Sequence, residues 1–324
     1  MPTRVLITGV TGFVGSYLAE YCLERGCLVF GTGRRRSPQT NIEAISGEKD
    51  FKLIEMELDD SRSITSAINQ SRPDLIFHLA AQSFVPTSFE SPYYTLRVNI
   101  LGTLLLLESV RQSSQHGSIK IQIAGSSEEY GLVYKEECPI LETQPLRPLS
   151  PYAVSKVACD LLGAQYARAY GMHIVRTRAF NHEGARRGVE FVTANFAQQA
   201  VMLAAGRISE LKVGNLDAIR DFSHVKDIVH AYWLALEKAE AGEVYNICSG
   251  SGTTIAEMIK MLAGIVGKEL PYSIDPERMR PADVPVLIGD CTKFKKQTGW
   301  KPKLTFEDAL KDLVGYWRQN LGLS

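Results

Sequence analysis

Three glycines near the start of the chain constrain its fold more than any other feature. Gly9, Gly12 and Gly15 are spaced three residues apart, directly after the apolar run Val5-Leu6-Ile7 and before a segment whose apolar residues have helical spacing. A tight turn between a buried strand and a helix needs glycine where the backbone bends sharply or where a ligand or a packed helix approaches it. The pattern therefore predicts a dinucleotide-binding turn whose helix N-terminus points at a pyrophosphate. The alternative is a glycine-rich turn that binds nothing.

Short apolar runs recur after this turn, with helical segments between them. This alternation predicts an α/β fold of the Rossmann type, in which a doubly wound parallel sheet is covered by helices on both faces. The predicted strands are Arg4–Thr8, Leu28–Thr32, Phe51–Met56, Leu75–Leu79, Ile119–Ala124 and His173–Arg178. Helices are predicted at about Tyr94–Ser113, Pro151–Tyr170 and Val192–Ala205.

The alternation breaks beyond Phe180, where a Gly- and Arg-rich loop begins. We therefore expect a nucleotide-binding domain over residues 1–180, with a later return segment around 213–248. Residues 181–324 are expected to form mainly a smaller, interleaved C-terminal domain that binds the substrate.

Composition excludes several classes of partner. Lys+Arg and Asp+Glu number 36 each, so no net charge attracts nucleic acid or a membrane surface. The apolar run at Leu104–Leu107 is too short to span a bilayer. The six cysteines have no Cys-x-x-Cys spacing, which favours buried thiols over disulfides or a metal site. Because a strand is predicted from Arg4 onward, no room remains for a secretory signal, and a cytoplasmic location is expected.

The end of the second predicted strand indicates which dinucleotide is bound. An acidic residue there would accept a hydrogen bond from a free ribose 2′-hydroxyl, but this chain has Gly33-Arg34-Arg35-Arg36-Ser37. Guanidinium groups suit a phosphate monoester, so Arg34 and Arg35 predict NADP rather than NAD. A solvated basic loop or a subunit contact is the alternative.

A tyrosine and a lysine at the start of the long helix are the candidate catalytic residues. Ser150-Pro151 predicts the helix start, and Tyr152 and Lys156, four residues apart, lie on one face. A phenol, with an ordinary pKa of about 10, becomes a useful base only when nearby positive charge lowers that value. Ser126 follows the fifth predicted strand, where such folds bind ligands, so Ser126, Tyr152 and Lys156 are predicted to form an oxidoreductase-type triad. A Tyr–Lys pair on a helix surface is the alternative.

These motifs together resemble a known family. Four of them resemble motifs of the extended short-chain dehydrogenase/reductases that modify nucleotide sugars. They are Gly9-x-x-Gly12-x-x-Gly15, Leu79-Ala80-Ala81-Gln82-Ser83, Ser126/Tyr152/Lys156 and Phe180-Asn181-His182. Four further segments resemble the GDP-mannose branch: Val213-Gly214-Asn215-Leu216-Asp217, Arg220-Asp221, Val244-Tyr245-Asn246 and Arg280-Pro281-Ala282-Asp283-Val284. That branch contains GDP-mannose 4,6-dehydratase and GDP-4-keto-6-deoxymannose reductase. The resemblance implies a cytoplasmic enzyme of deoxysugar biosynthesis that uses NADP and a GDP-sugar, assembled as a homodimer or homotetramer.

The two activities differ in the acid/base groups they need. A dehydratase oxidises C4, eliminates water across C5–C6 and returns the hydride to C6, so it needs a second acid/base for the C5 proton. The resemblance implies Glu128 for this role, two residues after Ser126. Glu129 is the nearby competitor, and it faces the other way if the strand continues.

Other segments favour one activity or the other. The loop 34–41, Gln82-Ser83-Phe84-Val85 and Asn181-His182-Glu183 resemble the dehydratase, whereas Gly12-Phe13-Val14-Gly15 and Asp221-Phe222 resemble the reductase. We therefore expect the lyase, a 4,6-dehydratase, with two alternatives. These are the NADPH-consuming reductase and an enzyme of another GDP-sugar such as a GDP-heptose.

The resemblance also implies binding residues, and the spacing of the cysteines and histidines predicts no metal site. For the dinucleotide they are Gly9, Gly12, Phe13, Val14, Gly15, Arg34, Arg35, Leu58, Leu79, Ala80, Ala81, Tyr152, Lys156, His182 and Arg187. For the GDP-sugar they are Ser83, Ser126, Asn181, Val213, Asn215, Arg220, Arg280 and Asp283. Each arginine could instead form a surface salt bridge. His78 is expected to be a packed core histidine, and Asn99 either holds the loop under the cofactor or is solvated.

Overall fold

The computed structural model describes residues 1–278 and 284–323. Its strands are β1 Arg4–Thr8, β2 Leu28–Gly33, β3 Phe51–Glu55, β4 Leu75–His78, β5 Lys120–Ser126, β6 His173–Ala179, β7 Asn181–Glu183, β8 Leu211–Val213, β9 Ile219–His224, β10 Val244–Ile247, β11 Gly252–Thr254, β12 Tyr272–Ile274 and β13 Val286–Leu287. Its α-helices are α1 Phe13–Glu24, α2 Ser61–Ser71, α3 Val85–Glu90, α4 Pro92–Leu96, α5 Gly102–Arg111, α6 Pro151–Tyr170, α7 Val192–Ala204, α8 Val225–Lys238, α9 Ile255–Val266, α10 Thr292–Thr298 and α11 Phe306–Asn320.

In the described part of the chain, seven strands form one sheet in the order β10-β6-β5-β4-β1-β2-β3. Every neighbouring pair in it is parallel. Strands β1 to β6 follow the 3-2-1-4-5-6 order of a Rossmann sheet, so the predicted fold class is confirmed. The seventh strand, β10, comes from a later part of the chain and pairs with β6.

Helices cover both faces of this sheet. Val5 and Ile7 of β1 are fully buried on the face covered by α1 and α8. Leu6, between them, is fully buried on the opposite face, which α2, α5 and α6 cover. Because successive side chains of a strand point to opposite faces, a strand covered on both sides is apolar at nearly every position. This burial explains the continuous apolar runs from which the strands were predicted.

A second set of elements lies beyond the carboxyl ends of the sheet. Strand β7 follows β6 after the single residue Phe180 and pairs with β9, which also pairs with β11 and β13. Helices α7, α9 and α11 pack around a separate buried cluster that includes Leu211 and Phe222. The short link at Phe180 places these elements directly beside the sheet edge where ligands bind in this fold.

The largest differences from the predicted bounds are at one helix and one strand. The helix predicted over about Tyr94–Ser113 is one continuous helical run, which begins at Pro92 and ends at Arg111 and consists of α4, a π-helical turn at Arg97–Leu101 and α5. Strand β5 continues past Ala124 to Ser126 because its last residues pair with β6. Gly125 and Ser126 are not apolar side chains, so the hydrophobic pattern of the sequence does not predict that the strand continues through them.

Candidate active site

A cleft of about 590 Å³ opens at the carboxyl ends of β1, β2, β4, β5 and β6. The predicted residues that line it are Gly9, Gly12, Phe13, Val14, Gly15, Arg34, Leu58, Leu79, Ala80, Ala81, Ser83, Ser126, Glu128, Tyr152, Lys156, Asn181, His182 and Arg187. The structure thus brings most of the predicted catalytic and dinucleotide-binding residues to one cavity.

The glycine turn has the shape that a pyrophosphate needs. Gly9 has a φ of +74°, and a Cβ there would lie 3.0 Å from the Cα of Ala80. A Cβ on Gly15 would lie 2.9 Å from the Cα of Val10. Gly12 is the N-cap of α1 and has no side chain to bond the first-turn N–H groups. Those N–H groups and the positive end of the helix dipole therefore point into an open cradle, which fits a dinucleotide phosphate.

A buried histidine supports the next wall of the cleft. The Thr8 hydroxyl accepts hydrogen bonds from the backbone N–H groups of Leu79 and Ala80, both at 3.1 Å. His78 Nδ1 lies 2.9 Å from the same hydroxyl. Burial lowers the pKa of His78 to about 3, so the imidazole is neutral and structural, as the strand pattern predicted.

Asn99 holds the loop that follows β4. Its Oδ1 accepts from the N–H of Gln82 at 2.8 Å, and its Nδ2 donates to the carbonyl of Gln82 at 3.0 Å and to Ser155 Oγ at 2.9 Å. The side chain is buried, and the π-helical turn places it between the loop and α6. Of the two interpretations from the sequence, the loop-holding one is correct.

The end of the cleft beside β2 carries exposed positive charge. Arg34 lines it and donates to the hydroxyl of Tyr94 at 3.2 Å. Arg35, also predicted to bind the dinucleotide, is exposed in the same loop and does not line the cleft. Asp59, which the sequence did not single out, lines this end and pairs with Arg97 at 3.0 Å.

Strand β5 and helix α6 bring the candidate catalytic groups together. Ser150 caps α6 by accepting from the N–H of Ala153 at 3.1 Å, as predicted. This start places Tyr152 beside Ser126, whose hydroxyl acts to lower the pKa of the phenol. Lys156 donates to the carbonyl of Ala124 at 2.8 Å, and its Nζ lies 5.9 Å from the ring centre of Tyr152.

The pKa of Tyr152 is set by burial against hydrogen bonding. Burial raises the pKa of the phenol, the Ser126 hydroxyl opposes that rise, and the Glu128 carboxylate adds to it. Arg187 also opposes the rise. From the sequence we expected Lys156 to lower the pKa of Tyr152. In the structure its ammonium group donates to the carbonyl of Ala124 instead. Burial lowers the pKa of this ammonium group.

Glu128 and Glu129 point in different directions. The strand ends at Ser126, and Ser127–Glu129 form a 3₁₀ turn. Glu128 is half-buried and lines the cleft, whereas the side chain of Glu129 is fully buried. The two side chains were expected to face opposite ways if the strand continued through them. The strand does not continue, and it is the 3₁₀ turn that separates the two carboxylates.

Arg187 reaches the cleft from the loop after β7. Its guanidinium lies 3.6 Å from the ring centre of Phe191 and 5.2 Å from that of Phe13. The Phe13 ring stacks on His182, with ring centres 6.2 Å apart and planes 7° from parallel. Burial lowers the pKa of His182 to about 4, so Arg187 is the charged group of this cluster.

The predicted nucleotide-sugar residues are less closely gathered. Val213 has no exposed surface and packs in the buried cluster of α7, α9 and α11, so its side chain does not reach a ligand in this structure. Asn215 and Arg220 are half-buried, and Arg220 donates to the carbonyl of Val284 at 2.6 Å. Arg280 and Asp283 lie outside the described residues.

Besides Asp59, the sequence did not single out two aromatic residues that line the cleft. Tyr232 reaches the cleft from α8, and Phe191 reaches it from the N-cap of α7. Both helices look like ordinary amphipathic helices in the sequence, which contains no signal for this placement. Among the residues that the structure describes, no group of His, Cys, Asp and Glu side chains could hold a metal ion. In the same ranges, no helix is both long and apolar enough to cross a membrane.

The site can therefore bind a dinucleotide and move protons on a neighbouring ligand. A phenol, a hydroxyl and a carboxylate share one wall of the cleft. These are the groups needed to deprotonate an alcohol and to remove a proton from carbon next to a ketone.

Known proteins resemble the chain over nearly its whole length. The family model described as GDP-mannose 4,6 dehydratase matches residues 6–313. The GDP-mannose 4,6-dehydratase of Yersinia enterocolitica is 36% identical over 96% of this chain and 92% of that protein. The GDP-mannose 4,6 dehydratase of Homo sapiens is 35% identical over 95% of this chain and 90% of that protein. The solved structure of RMD from Pseudomonas aeruginosa complexed with NADPH has a TM-score of 0.83 and 32% identity, and covers 98% of this chain and 100% of its own. The likeness is not confined to the nucleotide-binding part.

Proposed function

Because this chain belongs to the GDP-mannose 4,6-dehydratase family, we propose that it converts GDP-D-mannose to GDP-4-keto-6-deoxy-D-mannose, with NADP recycled in each turnover. One observation carries the proposal. Ser126, Glu128 and Tyr152 line a single cleft together with the glycine turn, so both proton-transfer groups of a dehydratase face the same ligand space.

Oxidation at C4 uses the groups of β5 and α6. When bound, NADP supplies the hydride acceptor for C4 and the hydride donor for C6. Tyr152 takes the proton of the C4 hydroxyl, which the Ser126 hydroxyl orients. Lys156 is proposed to hold the nicotinamide ribose. Arg187, at the cleft, acts to lower the pKa of Tyr152 and so favours the phenolate.

Elimination uses Glu128. A ketone at C4 acidifies the proton at C5, and the Glu128 carboxylate removes it. The resulting carboxylic acid then protonates the C6 hydroxyl, which leaves as water. One carboxylate thus serves as base and then as acid, and its half-buried position at the cleft wall suits that exchange.

The GDP group is held by the elements beyond β6. We infer that residues 181–324 bind mainly the nucleotide sugar, and that residues 1–180 with the return segment 213–248 bind NADP. Asn181 lines the cleft and orients the sugar or the diphosphate. The diphosphate needs local cations, and Arg220 and Arg280 are the proposed pair, with Asp283 on the guanosine ribose. The guanine base is proposed to lie against the segment around Asn215, with Val213 contributing packing behind it.

Product analysis tests the function directly. The protein is incubated with GDP-mannose and NADP without added reductant, and the sugar products are identified by mass spectrometry and NMR. A product that has lost one water and carries a 4-keto group is expected, with no net change in NADPH. Unchanged GDP-mannose would contradict the proposal. Two further incubations test the alternatives. Stoichiometric consumption of NADPH when the substrate is GDP-4-keto-6-deoxymannose would indicate the reductase. Dehydration of a GDP-heptose but not of GDP-mannose would indicate an enzyme of another GDP-sugar.

The arginine loop gives a prediction about cofactor choice. Replacing both Arg34 and Arg35 by alanine is expected to raise the Kd for NADP by about tenfold or more and to leave the Kd for NAD unchanged, because only NADP carries the 2′-phosphate. Within residues 1–278 and 284–323, Arg34 donates to the neutral hydroxyl of Tyr94 and forms no ion pair, so its loss leaves no charge of these residues unpaired. Arg36→Ala, in the same exposed loop, is the control. Equal losses for NADP and NAD in a calorimetric titration would refute a 2′-phosphate contact.

Exposed apolar residues indicate a subunit interface. Leu101, Val154 and Leu161 are 49%, 44% and 56% exposed on the adjoining α5 and α6 region. We propose that a second copy covers them through an isologous helix bundle in a homodimer or homotetramer of the cytoplasm. Leu161→Glu is expected to lower the mass measured by light scattering, whereas Leu132→Glu, at an exposed apolar residue elsewhere, is not. A monomeric wild-type protein would refute the interface.

A further inference from the structure

A buried charged cluster lies directly behind the catalytic wall. It consists of Glu129, Asp160, Arg176 and Arg178, and the side chains of the first two are 0% and 1% exposed. The mechanism proposed above uses none of these four residues. Burying charge is unfavourable unless each group is paired and hydrogen-bonded, so the position of this cluster calls for a physical reason.

Glu129 holds the backbone of the catalytic serine. Its Oε1 accepts a hydrogen bond from the backbone N–H of Ser126 at 2.7 Å, and its Oε2 lies 3.1 Å from Nε of Arg178. The hydroxyl of Ser126 accepts in return from the N–H of Glu128 at 3.2 Å. These reciprocal bonds form a capping box that closes the 3₁₀ turn at Ser127–Glu129. The conformation of this turn decides that Glu128 faces the cleft.

The rest of the cluster joins the other catalytic elements to this turn. Nε of Arg178, on β6, lies 2.9 Å from Oδ2 of Asp160, and Arg176 bonds the other oxygen of that carboxylate. Asp160 is on α6, four residues after Lys156. The cluster therefore connects the end of β5, the helix that carries the tyrosine and the lysine, and the strand that leads into β7.

A second 3₁₀ turn in the chain has a similar capping glutamate but lies outside the cleft. Lys135–Glu137 also form a 3₁₀ turn with a capping box, in which Glu137 accepts from the N–H of Tyr134 at 2.9 Å. Glu137 pairs with Arg147, but these side chains are 22% and 33% exposed and do not line the cleft. The two turns thus share the bond from the N-cap N–H to the glutamate three residues later, but only the first turn is fully buried at that glutamate and lines the cleft.

We propose that Glu129 is a positioning residue, whose carboxyl group, held by Arg178 and Asp160, fixes Ser126 and Glu128 opposite Tyr152 without touching the substrate. The inference rests on the proposed dehydratase function. The bond that matters is the one to the Ser126 N–H, because it sets the turn from which both Ser126 and Glu128 project.

Charge alone does not account for the arrangement. Burial raises the pKa of Glu129, and the neighbouring Asp160 carboxylate raises it further. A protonated Glu129 still accepts from Ser126 with one oxygen and can donate to Asp160 with the other. An amide side chain keeps the oxygen that accepts from the Ser126 N–H, but its NH2 group cannot accept from Nε of Arg178, which keeps its bond to Asp160. The contact with Ser126 can therefore be separated from the rest of the carboxyl group by substitution.

The test compares two substitutions of similar size. E129Q keeps an oxygen for the Ser126 N–H and loses the acceptor for Arg178, whereas E129L has a similar volume and loses both. We expect E129L to lower kcat for GDP-mannose dehydration by about tenfold or more with KM changed by less than about threefold, and E129Q to stay within about threefold of wild type, because small displacements of catalytic groups act mainly on kcat. E137Q and E137L, in the turn Lys135–Glu137 that does not line the cleft, are the matched controls and are expected to behave like wild type.

A measurement that does not use the sugar reaction completes the test. Hydrogen exchange of the peptide that contains Ser126 is expected to be faster in E129L than in wild type and E129Q, and unchanged in E137L. A wild-type kcat in E129L, or equal losses of kcat in E129Q and E129L, would overturn the inference. If the wild-type protein does not dehydrate GDP-mannose, the proposed function fails separately, and equal exchange rates in E129L and wild type would then overturn the inference.

Discussion

Tyr152→Phe is expected to lower kcat for GDP-mannose by about 10²- to 10⁴-fold, the range typical of a lost general acid/base. The substitution removes only the phenolic oxygen, which is the group proposed to take the C4 proton in the cleft that Tyr152 lines. The ring is almost fully buried, and phenylalanine preserves its packing. NADP binding should change little, because the glycine turn and the arginine loop are untouched. Steady-state kinetics and a calorimetric titration of NADP measure the two effects.

Tyr166→Phe is the matched control for this substitution. Tyr166 lies on the same helix and is also buried, but its hydroxyl donates to Glu108 at 2.6 Å, away from the cleft. Its replacement is expected to leave kcat within about twofold of wild type, as for a residue without a catalytic role. A similar kcat in Tyr152→Phe and Tyr166→Phe would show that the phenol is not the base.

Glu128→Gln is expected to stop the reaction after C4 oxidation. The amide cannot take the C5 proton, so formation of the dehydrated product should fall by about 10²-fold or more. Tyr152 and Ser126 remain, and oxidation at C4 should therefore still occur. Rapid mixing with excess enzyme is expected to show the near-ultraviolet absorbance of reduced nicotinamide appearing without decay, whereas in wild type it rises and falls.

The following turn supplies the control for Glu128. Glu136 is the second residue of the 3₁₀ turn Lys135–Glu137, as Glu128 is in Ser127–Glu129, but it is exposed. Glu136→Gln should form dehydrated product at the wild-type rate. Loss of the reduced-nicotinamide signal in Glu128→Gln would argue against separate roles for the carboxylate and the phenol, since both steps would then depend on Glu128.

The sheet could be predicted from the sequence because its strands are buried on both faces. A strand such as β1, with Leu6 on one side and Val5 and Ile7 on the other, has an apolar pattern that few other structures produce. Helix α6 has its predicted bounds, and its start was predicted from Ser150 as the N-cap. In the structure Gly171 ends the helix in the left-handed conformation. The π-helical turn before α5 was not predictable, because Asn99 is buried there only through its contacts with a loop and another helix.

The candidate site was predictable where it depends on local motifs. The glycine turn, Ser126, Tyr152 and Lys156 stand at strand ends and helix starts, and they meet in the cleft. The ion pair of Glu129 with Arg178 joins residues 49 apart, and no local pattern indicates it. Val213 was predicted to contact the ligand but is fully buried in the core. It lies on a short strand with one face in the core, and likeness to a family does not show which residues of such a strand face inward.

The edge strand β10 has a consequence for how the protein is made. It pairs with β6 only after the intervening residues 180–243, with Val244 opposite Arg176. Until a ribosome has synthesised β10, the nascent chain presents β6 as an unpaired edge, and such edges recruit other chains. Translation that halts before β10 would therefore release a fragment prone to aggregate, and a chaperone that shields β6 would be needed longest at this point of synthesis.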